Sequence, residues 1–261
     1  MDIQPDYHVV SLHYRLRTCD RVSYVNTPPV EYKQEMVHMR LENGQLVCEL
    51  KTHFSTEGEA RTAIEPILRA WELETDVRGC IGELRFEFVR AEIVDRNPPP
   101  PGPSHYVLVT GVESITVSGS ANVSMHVAKN RYPSPPSTFH VTPNFESLWL
   151  RYRGYLEGRE PLLAMGYFCF TFLKAIAGGN LKTMARHLGT DVDVLKKLSE
   201  LTSTRGDRTT ARKVKMLTMQ PLSATEANWI SAVLKELILR LGDTRPINSL
   251  KKITMPDFPN L

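Results

Sequence analysis

The chain has 261 residues, 41% hydrophobic and 23% charged, with 32 Lys plus Arg against 29 Asp plus Glu. This ordinary balance excludes an intrinsically disordered tail protein, a collagen-like fibre and a disulfide scaffold. At roughly 100–200 residues per domain the length predicts two domains, each large enough for a core of its own.

The N-terminal stretch MDIQPDYHVV carries two aspartates and a proline where a secretion signal needs a basic and then an apolar segment. The longest mainly apolar run, residues 162–173, is short of the roughly 20 residues that cross a bilayer. Cys19, Cys48, Cys80 and Cys169 form no C-x-x-C pair, which argues against a zinc ribbon, a redox motif or a dense disulfide framework. The expectation is a cytoplasmic protein in a reducing setting, with no membrane association.

Residues 8–18 and 37–50 read as β-type stretches, the second split by Glu42-Asn43-Gly44-Gln45, where Asn-Gly suits a two-residue hairpin turn. A helix begins at Thr56, with Glu59 completing a capping box and Ala60, Ala63, Ile64, Ile67, Leu68 and Trp71 on one side. Pro66 lies inside it, so either the helix kinks there or a second one begins. Residues 82–89 alternate, with Leu84, Phe86 and Phe88 facing one way and Glu83, Arg85 and Glu87 the other, as in a half-buried strand. The proline run at residues 97–104 predicts a stiff exposed loop or linker, and residues 106–127 read as two or three short strands. A second proline cluster at residues 132–137 is the better boundary, giving a β-rich domain over 1–140 and a helical bundle over 141–261.

From Thr142 the apolar period becomes helical. Thr142 suits an N-cap and Pro143 the first helical position of a helix to about Leu156. Residues 160–177 are apolar nearly all round, as in the central helix of a bundle, and Gly178-Gly179 ends it. Another helix starts at Ser223, with Glu226 as its capping-box partner, presents Ile230, Val233, Leu234, Leu237, Ile238 and Leu241 on one face, and stops at Gly242. Residues after Pro246 read as an extended tail. The fold class is α+β: one helix on a mainly antiparallel sheet, then an all-α bundle.

Divided at this boundary the near-neutral charge separates. Residues 143–261 hold 18 basic and 11 acidic residues, and residues 1–142 hold 14 and 18. Basic residues concentrate at Lys196, Lys197, Arg205, Arg208, Arg212, Lys213 and Lys215, a set suited to neutralising phosphates and binding nucleic acid. The alternative is a solvated stretch whose cations pair with the acidic half of the same molecule. Residues 181–198 have the look of a helix-turn-helix, with Ala185 at the crossing, Gly189 in the turn and Met184, Leu188, Val192, Leu195 and Leu198 as its core. Asp191, Asp193 and Glu200 on the second helix would repel phosphate, which favours an ordinary hairpin of helices.

A β-rich region followed by a helical half carrying Leu198-Ser-Glu-Leu-Thr-Ser-Thr-Arg-Gly-Asp-Arg-Thr-Thr-Ala-Arg-Lys213 resembles a group of bacterial proteins that includes the methylamine-utilisation protein MauJ. The helical half also resembles the HEPN bundle of RNases and of toxin or defence proteins. Catalytic HEPN chains carry an Arg followed four to six residues later by a His. Here Arg205 and Arg208 precede Ala211, Arg212 and Lys213, and no histidine follows, so RNase activity does not carry over. The resemblance implies a non-catalytic bundle that binds or scaffolds, with a protein partner or as a homodimer.

Enzymatic alternatives find little support. His8, His13, His38, His53, His105, His126 and His140, with Cys48 five residues before His53, lack the spacing of a zinc site. G-x-S-x-G, G-x-G-x-x-G and the Walker lysine motif are absent, so no catalytic residue, metal or cofactor is expected. The sequence therefore predicts a cytoplasmic accessory or scaffold protein, or alternatively a nucleic-acid-binding protein using the basic stretch.

Overall fold

A computed structural model describes residues 5–97, 108–111, 126–206 and 220–261. The architecture is α+β, and the chain divides into two compact units, residues 1–137 and 138–261. The proline run from Pro98 and most of the strands expected between residues 106 and 127 lie outside the described residues.

The described strands of the first unit are β1 (Tyr7–Arg17), β2 (Val22–Tyr24), β3 (Val30–Lys33), β4 (Val37–Glu42), β5 (Gln45–Leu50), β6 (Arg85–Asp95), β7 (Leu108–Gly111) and β8 (Val127–Lys129). Six form one sheet in the order β3-β4-β5-β1-β6-β7, every neighbouring pair antiparallel, while β2 and β8 make a separate parallel pair. The β4–β5 hairpin turns on Asn43 and Gly44, both at positive φ (50° and 73°), which matches the right-handed twist of the strands it joins. β6 runs to Asp95, well past the stretch expected from the sequence, because its alternation continues through the buried Ala91 and Ile93.

Helix α1 (Glu57–Arg78) covers one face of this sheet. Thr56 Oγ1 accepts from the Glu59 amide at 3.2 Å, and the Glu59 carboxylate accepts from the Thr56 and Ser55 amides at 3.3 and 3.1 Å. The helix is continuous through Pro66, so a single helix forms rather than two. That proline lies on the exposed side, where water can take the carbonyl left without a donor. Ala60, Ile64, Leu68 and Trp71 share one core with Leu12, Tyr14, Met39, Leu41 and Leu46 of the sheet. The second proline cluster is docked on this unit. The Trp71 indole donates to the Pro133 carbonyl at 3.2 Å, the Tyr32 hydroxyl to the Pro136 carbonyl at 3.1 Å, and the Gly44 amide to the Tyr132 hydroxyl at 3.1 Å.

The second unit contains α2 (Pro143–Leu156), α3 (Leu162–Ile176), α4 (Leu181–Leu188), α5 (Val192–Thr204) and α6 (Ala224–Gly242). Thr142 caps α2 by accepting from the Phe145 amide, and Ser223 with Glu226 forms the capping box of α6. α3 packs against each of the other four helices among the described residues. Gly166 marks its closest approach, since a Cβ there would stand 3.0 Å from Thr202 Cγ2 and 3.4 Å from Ile230 Cγ2. Gly242 is the last residue of α6, and its missing side chain leaves room for the ring of Phe139, which a Cβ there would overlap. There residues 138–140 run beside 242–244, with the His140 amide donating to the Gly242 carbonyl and the Thr244 amide to the Thr138 carbonyl, each at 2.8 Å. No single helix among the described residues is long and apolar enough to cross a membrane.

Candidate functional site

The basic stretch and the helix pair before it are the features from which the sequence suggests binding. Asn180 caps α4 by accepting from the Lys182 amide at 2.7 Å, and Gly189 turns the chain at φ 60° into α5. The residues after Pro246, expected as an extended tail, are instead docked on this turn. The Asp191 amide donates to the Ile253 carbonyl and the Ile253 amide to the Gly189 carbonyl, each at 2.8 Å, and the Thr190 hydroxyl adds a third bond at 3.3 Å. Lys252 pairs with Asp191, and the Arg240 guanidinium holds the Lys251 carbonyl at 2.6 Å. A helix that reads the major groove presents its N-terminal residues to the bases. Here that end of α5 is occupied by the chain's own C-terminal segment.

Each described member of the basic set lies beside a carboxylate of its own unit. Lys196 lies 3.0 Å from Asp193 and Lys197 lies 3.1 Å from Glu200, both along α5. Arg205 lies 2.9 Å from Glu226 and also bonds Gln220, while the Gly206 amide donates to the Gln220 carbonyl at 2.9 Å. Glu226 is held below the usual carboxylate range, first by the Ser223 amide and then by Arg205. Arg205 is thus a structural clamp that brings residues 206 and 220 side by side. Arg208, Arg212, Lys213 and Lys215 lie outside the described residues.

Three clusters of polar groups in the first unit join partly or fully buried side chains among the described residues. Asp76, fully buried, accepts from the Gly82 amide at 2.8 Å and from Arg85 Nη1 at 3.0 Å. Glu83, also buried, accepts from the Tyr24 hydroxyl at 2.9 Å and from Lys129 Nζ at 2.5 Å. On the other face of β1, Ser11 Oγ lies 2.9 Å from His13 Nε2 and donates to Glu92 at 3.1 Å, while Glu92 lies 3.2 Å from the same His13 nitrogen. A serine nucleophile needs the carboxylate on the other imidazole nitrogen, so this is a closed structural triangle rather than a relay. Burial pushes the His13 imidazole below its ordinary value.

Among the described residues the histidine and cysteine side chains do not converge on a metal. Cys48 is in the core, its thiol pushed up to about 12 by burial, and His53 stacks on His8 with ring centroids 5.2 Å apart. His105 lies outside the described residues. Among the described residues no three His, Cys, Asp or Glu side chains are placed to hold an ion. Sequence reasoning misses the contact of Cys19 with Cys80, whose sulfurs are 3.5 Å apart, because 61 residues separate them and no local pattern signals their approach.

No protein-family model, no curated protein and no solved structure matches this chain.

Proposed function

We propose that the chain is a non-catalytic accessory or scaffold protein of the cytoplasm, acting without a cofactor, whose helical unit binds a protein partner or a second copy of the chain. The observation that carries this reading is the sealing of the α4–α5 turn by the segment around Ile253, which commits the end of α5 to internal packing. The pairing of Lys196, Lys197 and Arg205 within the same unit supports it too. The resemblance to the MauJ-containing group, and to a HEPN-like bundle without the catalytic histidine, points the same way. The test is a screen of the purified full chain against hydrolase, nuclease, transferase and oxidoreductase substrates. The reading predicts background rates, and turnover that copurifies with the chain through several columns contradicts it.

A second reading, nucleic-acid binding, is favoured by the excess of 18 basic over 11 acidic residues in the helical half. Its binding residues would be chiefly Arg208, Arg212, Lys213 and Lys215, because Lys196, Lys197 and Arg205 already stand against Asp193, Glu200 and Glu226. It predicts binding with steep salt dependence that flattens when those four residues become alanine, measured by gel shift at several salt concentrations.

A further inference from the structure

Cys19 and Cys80 each open a tight turn, and the two turns face each other. The Val22 amide donates to the Cys19 carbonyl at 3.1 Å, and the Glu83 amide donates to the Cys80 carbonyl at 3.0 Å. The turns are joined by the Cys19 amide, which donates to the Gly82 carbonyl at 2.7 Å. Gly82 has φ +78° and no side chain, and a Cβ there would stand 3.4 Å from Cys19 Cβ, so the chain can approach closely at this point. Cys19 and Cys80 are half-buried residues, whereas Cys48 and Cys169 are buried.

We propose that Cys19 and Cys80 are a redox site, a dithiol that closes reversibly to an intramolecular disulfide by exchange with a small-molecule disulfide such as oxidised glutathione. One cysteine thiolate attacks a sulfur of the small disulfide, breaking its S–S bond and forming a mixed disulfide as one thiolate leaves. The second cysteine thiolate then attacks the protein sulfur of that mixed disulfide and expels the other small thiolate. The two cysteine protons end on the two departing thiolates, so two protein thiols are oxidised and one small disulfide is reduced.

Geometry favours the second step. The sulfurs stand 3.5 Å apart, and an S–S bond of about 2.05 Å requires a closure of about 1.5 Å, within reach of side-chain rotation in two turn residues. Folding has already brought the ends of the intervening chain together, so the attack proceeds at high effective concentration. The bond would tie the end of α1 to the entry of β2. Glu83, three residues after Cys80, already holds Tyr24 of β2 and Lys129 of β8.

The test equilibrates the full chain in buffers of graded oxidised-to-reduced glutathione ratio, followed by acid quench, alkylation and peptide mapping. The proposal predicts a linked Cys19–Cys80 peptide, release of about two reduced glutathione per chain, and slower amide exchange at residues 19–25. Cys48 and Cys169 should stay reduced. Cys19→Ser and Cys80→Ser should each stop at a persistent mixed disulfide on the remaining cysteine, with half the glutathione released. Both thiols remaining free in excess oxidised glutathione overturns the proposal, as does glutathione on both cysteines without a cross-link. A cross-link that excess reduced glutathione fails to reopen overturns its reversibility.

Discussion

Asp76 shows how much one side chain can matter. Its carboxylate is fully buried and bonds Arg85 and the Gly82 amide, so it joins the end of α1 to the start of β6. Asp76→Asn turns an amide donor toward the Arg85 donors and leaves that guanidinium without its counter-charge. The expected loss is about 3 kcal/mol, at the low end for a broken buried pair because Arg85 is 29% exposed. It is read as a lower urea midpoint with unchanged slope. Tyr14 predicts the opposite sign. Its hydroxyl is buried and has no hydrogen-bond partner among the described residues, while its ring packs edge-on against Phe88. Tyr14→Phe keeps the packing and removes a desolvated hydroxyl, so stability should be unchanged or rise by up to about 1 kcal/mol. By contrast Arg159, 64% exposed beside Glu157, should tolerate alanine within about 0.5 kcal/mol.

At the scale of elements, caps and helix ends set the testable differences. Glu226 serves both the Ser223 amide and Arg205, so Glu226→Gln should loosen the start of α6 and the Gly206–Gln220 junction together. The cost is about 1–2 kcal/mol, seen as faster amide exchange over residues 223–227. Gly189→Ala places a methyl 2.9 Å from Ile247 Cδ1 at φ +60° and should cost at least about 1 kcal/mol while detaching the C-terminal segment.

The two units should also respond to pH in different ranges. Burial lowers the His8 and His13 imidazoles in the first unit, so the unfolded chain binds their protons more readily. That unit loses stability as pH falls below about 6.5. In the second unit Arg245 lowers Asp243, the Ser223 amide lowers Glu226, and Lys251 with Thr254 lowers Asp257 to about 2. Their contribution is complete above the ordinary carboxylate range and drains as pH falls through the folded values. Amide exchange at pH 7, 5 and 3 should show the first unit weakening by pH 5 and the second mainly below pH 4.

Features written in a few adjacent residues are legible in the sequence itself. The Thr56–Glu59 and Ser223–Glu226 boxes, the Asn43-Gly44 turn and Pro143 behind Thr142 all form where the spacing puts them. Long-range contacts are not. Short strands such as β2 and β3 carry too few residues for a period. Ile253 meets Gly189 and Asp191 across more than sixty residues, so a segment with no helical pattern reads only as an extended tail and its docking goes unseen. Gly242 reads locally as a conformational stop, whereas its role is to make room for Phe139, a constraint set by a residue about a hundred positions earlier.

At the scale of the molecule, function turns on where the positive charge of the helical half is spent. Arg151, Arg153, Lys196, Lys197, Arg205 and Arg240 each stand against a carboxylate of that half. Such surface pairs add little stability, but they lower the field that would draw in a polyanion. The scaffold reading therefore predicts weak, sequence-independent attraction to nucleic acid. The most direct measurement is a fluorescence-anisotropy titration of the full chain against labelled duplex DNA and single-stranded RNA at physiological salt. The scaffold reading predicts a Kd no tighter than the nonspecific range of about 10⁻⁴–10⁻⁶ M. A Kd near 10⁻⁸ M that discriminates between sequences, and is lost when Arg208, Arg212, Lys213 and Lys215 become alanine, would contradict it.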